Sequence, residues 1–128
     1  LGITMSSADD LLRNSQKNKI RTSMYMVQSK AEILLENYLF DETDNLGKEA
    51  SLSLINKVGW EIGDTKYIYR VWDKDILNGH GIKIKDFSDE DSFIVRYDLE
   101  NDEVDIAFPK GYVDKQGNIQ YTLSSLEE

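Results

Sequence analysis

Apolar positions change their period along this chain, from a helical rhythm in the first third to strict alternation in the last. Ile20, Met24, Val27, Ala31, Leu34 and Tyr38 follow one another at alternating spacings of four and three, which gathers them into one narrow stripe on a 3.6-residue helix. Neither proline nor glycine occurs between Ser6 and Leu39. Ser6 and Ser7, followed by Asp9 and Asp10, offer a capping oxygen and early negative charge for unpaired helix-start amides. The pattern predicts a helix over 8–39. Residues 1–7, Leu1-Gly-Ile-Thr-Met5 and two serines, read equally as a cloning remnant or a frayed terminus and are left out of the fold.

The stripe starts only at Ile20, whereas Arg13 to Lys19 is polar on every face. A helix of some 32 residues spans about 48 Å, and a domain of this length has a diameter of roughly 36 Å. The leading part of the helix is therefore expected to protrude. Leu12, Met26 and Ile33 fall on the side opposite the main stripe, where they either face a partner or belong to the scattered apolar residues that any exposed surface carries.

Phe40 to Gly47 is turn-rich and ends the helix, and Lys48 to Val58 carries Leu52, Ile55 and Val58 at helical spacing, predicting a short second helix inside an αβ loop over 40–66. From Tyr67 onward the pattern is that of strands. "YIYRVW", Tyr67 to Trp72, is aromatic and β-branched, and Lys74 to Gly81 reads as a helical turn stopped by glycine. Alternation places Phe93, Val95, Tyr97 and Leu99 on one face and selects Val104, Ile106 and Phe108 in the next run, joined through Glu100-Asn101-Asp102 as a hairpin. Pro109 cannot donate to a ladder and is expected to interrupt the strand. Gly111 to Val113 and Asn118 to Leu123 then flank a glycine turn at Asp114 to Gly117. The expected fold is α+β: one head domain over 8–128, a long N-terminal helix packed on a small antiparallel sheet of three to four strands within 67–128.

Composition narrows the chemistry. The 128 residues, 40% of them hydrophobic, suffice for one core but not two. A formal charge of −9 disfavours direct binding of nucleic acid or anionic lipid. Without cysteine there is no disulfide framework, thiolate metal site or thiol nucleophile. His80, the single histidine, lies between Gly79 and Gly81 and reads as a turn residue, because no second imidazole is there to build a triad or zinc site. The clusters Asp41-Glu42-Asp44 and Asp86-Asp89-Glu90-Asp91, and the Asp114 to Asn118 turn, offer oxygen ligands without EF-hand spacing; a solvated acidic surface explains them better. Tyr67, Tyr69, Trp72 and Trp60 either line a carbohydrate groove or fill core and cross-strand positions. No catalytic, cofactor or metal residue can be nominated, so a non-enzymatic protein without a cofactor is expected.

The run from Gly81 to Leu126, "GIKIKDFSDEDSFIVRYDLENDEVDIAFPKGYVDKQGNIQYTLSSL", has the order of a "YIVNY"-like strand, an acidic turn, "EV" opening the next strand, then "GY", a glycine turn and "YTLS". With the long amphipathic helix, and with Leu11 to Ile20 preceding its stripe, it resembles the soluble head of type IV pilins and pseudopilins of Gram-positive, clostridial type. The sequence lacks that family's cleavage site and glutamate-bearing apolar stretch, and the C-terminal cysteine pair of many Gram-negative pilins.

The resemblance implies a structural filament subunit serving adhesion, surface motility or secretion. It also implies a membrane anchor in a missing N-terminal segment, a polymer with other pilin subunits, contact with the pilus assembly machinery, and a place on the cell surface. The helix stripe Ile20, Met24, Val27, Ala31, Leu34 and Tyr38 is then the helix-to-sheet core, and Leu12, Met26 and Ile33 are candidate assembly residues. The competing expectation is a free-standing module that binds carbohydrate or calcium without polymerising.

Overall fold

The computed structural model describes residues 2–126, with side chains from residue 15 onward. A single helix, α1 (Gly2–Asp41), is followed by β1 (Lys48–Glu49), α2 (Leu52–Lys57), β2 (Tyr67–Asp73), α3 (Lys74–Gly79), β3 (Ser92–Asp98), β4 (Glu103–Val113), β5 (Ile119–Thr122) and α4 (Leu123–Leu126). The five strands form one antiparallel sheet in chain order. The α+β class matches expectation, with five strands in place of three to four.

The helix is wider than the expected 8–39, because Ser6 and Ser7 lie within its backbone and do not begin it. On its sheet-facing side Met24, Val27, Ala31, Leu34 and Leu35 are buried, and Ile20 and Tyr38 pack half-buried at either end. They meet Trp72 from β2, Phe93, Val95 and Tyr97 from β3, and Val104 and Ile106 from β4, the inward set that alternation selects. Leu35 widens the stripe as a helix face of about 100° requires.

Two local expectations are corrected. Lys48 and Glu49 are not helical but pair with Val71 and Arg70 as an edge strand; the helix starts after them, where the Ser51 hydroxyl accepts the Leu54 amide at 3.3 Å. Pro109 does not end its strand, since β4 runs from Glu103 to Val113. Pairing with β3 stops at Ala107, and the pairing with β5 shifts register between Ala107 and Tyr112, so the proline sits where no ladder needs its missing N–H.

The sheet is covered on both faces. Ile55 and Val58 of the α2 region, with Trp60, pack on Ile94 and Ala107 on the side away from α1, forming a second, smaller core. β5 reaches only the second half of β4, and side chains close the edge left open: Gln28 Nε2 donates to the Val104 carbonyl at 3.1 Å, and the Ile106 amide donates to Asp105 Oδ1 at 2.9 Å. Asp105 is held in turn by the Ser124 amide at 3.2 Å and hydroxyl at 2.9 Å. These bonds fix α1 and α4 to the same stretch of β4.

Candidate assembly face

The side of α1 turned away from the sheet is where exposed apolar side chains concentrate. Met26 is 42% exposed, Ile33 55% and Phe40 92%, with Leu39 beside them at 43%. Met26, Ile33 and Phe40 are seven residues apart, a spacing that drifts only about 20° per step round a straight helix. Leu12, the remaining residue expected here, lies outside the described side chains. Phe40 was assigned by its sequence to the turn; the helix continues to Asp41, and the heptad step after Ile33 is the signal that places it in line. Further toward the start, Ser15, Gln16, Asn18 and Lys19 are exposed and Lys17 half-buried, so the described part of the polar run, residues 15–19, contributes no side chain to the core.

Charge is distributed unevenly around this helix. Where α1 passes the β3–β4 turn, Glu32, Asp98, Asp102, Glu103 and Asp105 line one cavity with Arg96, whose Nη2 lies 3.8 Å from Asp105 Oδ2. The Glu36 carboxyl is raised above its ordinary value, first by a hydrogen bond with Asp102 and then by that group's charge. Asp98 is pushed up by burial but drawn lower overall by the Asn101 side chain and the amides of Asn101 and Glu100. Its Oδ1 accepts both amides at 3.0 Å, and its Oδ2 accepts Asn101 Nδ2 at 2.9 Å. This carboxylate is thus the clasp of the turn.

The other sequence candidates do not converge. Trp72 is buried toward α1, while Tyr69 and Trp60 belong to the opposite face, and Tyr67 shares the strand parity of Tyr69. There Arg96 occupies the aromatic surface, its guanidinium carbon 4.4 Å from the Tyr67 ring centre and 5.2 Å from that of Trp60. His80 stacks on Trp72 with ring centres 4.7 Å apart, and burial lowers its pKa, helped by the charge of Lys30.

Several carboxylates of the acidic loops already have partners within the domain. Asp44 pairs with Arg70 at 3.2 Å, Asp41 accepts the Thr43 amide at 3.1 Å, and Asp91 pairs with Lys110. Asp114 accepts the Gln116 and Asn118 amides at 3.0 and 2.8 Å and Gln120 Nε2 at 3.1 Å. Among the described residues no group of three or more His, Cys, Asp or Glu is placed to hold a metal ion, and no helix is long and apolar enough to cross a membrane.

Comparison with protein-family models, curated proteins and solved structures finds no match for this chain.

Proposed function

We propose that this chain is the head domain of a type IV pilin or pseudopilin subunit, a non-enzymatic building block of a surface filament used for adhesion, motility or secretion. The observation carrying this reading is α1 itself. Its 40 residues extend over about 60 Å at 1.5 Å per residue, yet among the described side chains the core of the domain engages it from Ile20 onward. A rod longer than its own globule gains burial when it continues into an apolar anchor and packs among identical rods, leaving the sheet outward. The outer apolar line of Met26, Ile33 and Phe40 gives neighbouring subunits a surface to cover. The order of the sheet, with the hairpin of β3 and β4 followed by the glycine turn into β5, is the order on which the resemblance to the pilin head rests.

In this reading the partners are other pilin subunits, the membrane before assembly and the assembly machinery. A carbohydrate- or calcium-binding module is the weaker reading, because its aromatic residues are split between two faces and Asp44, Asp91 and Asp114 are already engaged by Arg70, Lys110 and the amides of the Asp114 turn.

The test is to restore the native upstream sequence and assay polymerisation. An apolar stretch of about 20 residues leading into α1, with filaments recovered by shearing cells, is the expected result. An ordinary globular domain in that place, or a full-length protein that never polymerises with its assembly machinery present, overturns the reading.

A further inference from the structure

Among the described residues, the most exposed large apolar side chain and an apolar groove lie far apart on the same molecule. Phe40, 92% exposed, occupies the last turn of α1 and is followed by Asp41 and Glu42. The groove, about 310 Å³ in volume, opens between α1 and the segment preceding β3. Ile20, Ile84, Phe87 and Phe108 line it. Its wall is rigid, because Phe93 packs on Phe87 and Phe108 with ring centres 5.3 and 5.4 Å apart. Lys19 and Lys85 stand on the rim with Asp86, while the carboxylate of Asp91 is paired with Lys110.

Twenty residues separate Ile20 from Phe40, which is about 30 Å along the helix and some 200° around it. The ring therefore cannot reach the groove of its own chain. We propose that Phe40 of one copy inserts into the Ile20–Phe87–Phe108 groove of a second copy of this chain, with Asp41 and Glu42 meeting Lys19 and Lys85. A second copy is singled out because the knob and the groove, both carried by this one chain, have opposite charge at their borders. Knob and groove are different patches, so the contact can repeat head-to-tail, and it opens into a helical array where successive rotations do not close into a ring. This deepens the filament reading by naming a contact between successive heads, and it rests on that reading for its purpose.

The absence of cysteine from the sequence makes cross-linking a direct test on the isolated 128-residue chain. Phe40→Cys is mixed with Lys85→Cys and, separately, with Lys57→Cys, an exposed position on α2, and disulfide dimers are followed over time at low salt. The expected result is several-fold faster dimer formation for the Lys85→Cys mixture, slowed by added salt and by Lys19→Glu. Phe40→Ser, at an exposed site, is expected to melt like the parent, which separates loss of contact from loss of fold. Equal rates for the two mixtures overturn the contact. If heads fail to cross-link selectively but the full-length protein polymerises, the knob and groove are wrong and the filament reading stands; selective cross-linking without polymerisation supports the contact and removes the filament.

Discussion

Trp72 and Tyr97 donate to the same acceptor: Trp72 Nε1 lies 2.8 Å and the Tyr97 hydroxyl 2.7 Å from the carbonyl oxygen of Leu46. Both rings are fully buried, one from β2 and one from β3. The loop leaving α1 is thereby pinned to the centre of the sheet, and these two buried donors and their shared carbonyl are satisfied without water. Burial also holds the Tyr97 phenol well above the ordinary tyrosine range, so it remains a donor across the physiological pH range. Tyr97→Phe is expected to cost about 0.5–1.5 kcal/mol in urea unfolding, because the carbonyl keeps its bond from Trp72. A loss far above this range would mean that the two donors act as one unit.

Gly47 follows this carbonyl at φ 127°, and a Cβ there would stand 2.8 Å from two atoms of the Trp72 indole. Gly47→Ala therefore combines a backbone strain with overpacking and is expected to destabilise by about 1–3 kcal/mol. Thermal melting, with near-ultraviolet circular dichroism as a report on the indole environment, checks it; unchanged stability would place the loop elsewhere.

Ile33 and Leu34 are sequence neighbours with opposite surroundings, 55% and 7% exposed. Leu34→Ala should cost about 2–5 kcal/mol through lost burial and a residual cavity, while Ile33→Ala should stay within about 0.5 kcal/mol. Under the filament reading proposed above, Ile33→Asp or Met26→Asp is expected to leave the domain folded and to impair polymerisation of the subunit. Normal filament yield from both would remove this face as an interface.

Acid should weaken the domain partly through Asp98. Its folded pKa is depressed, burial being outweighed by Asn101 and the turn amides, so the folded chain binds fewer protons than the unfolded one as pH falls. The stabilisation is present above the ordinary aspartate value of about 3.9 and is lost as pH drops through the folded value. Glu36 acts oppositely. Its raised pKa, due to the hydrogen bond with Asp102 and that group's charge, means that acid relieves a repulsion. Asp98→Asn should flatten the acid limb of a stability–pH profile from urea melts, and Glu36→Gln should steepen it. An unaltered profile for both contradicts this assignment.

Calcium at millimolar concentration is expected to leave the melting temperature unchanged, since Asp114 already accepts two amides and a side-chain amide. A ligand confined to the folded state would raise the midpoint. A clear rise would revive the binding-module reading.

Much of this fold is legible in the sequence because long periodic segments reveal their buried side. The α1 stripe and the inward residues of β3 and β4 follow from spacing alone. What spacing misses has physical reasons. β1 consists of two exposed polar residues, so its strand character comes wholly from pairing with β2. The second core was hidden because Ile94 and Ala107 fall at positions that alternation assigns to the outside, and only the approach of Ile55, Val58 and Trp60 buries them. The opposite facing of Trp72 and Tyr69 was readable from strand parity. Phe40 escaped notice because it stands among turn residues, although its seven-residue step from Ile33 continues the outer line.

The closure of the β4 edge by Gln28 and Asp105 has a bearing on solubility at high concentration. A bare row of amides and carbonyls is a template on which a foreign strand can grow, the first step toward amyloid. Here the stretch that β5 leaves uncovered is occupied by side chains, while the sheet's outermost members are two residues long at β1 and four at β5. Copies of this domain brought together at high concentration can thus touch without zippering into a common ribbon, and Gln28→Ala would be the change to watch for fibrils by thioflavin fluorescence.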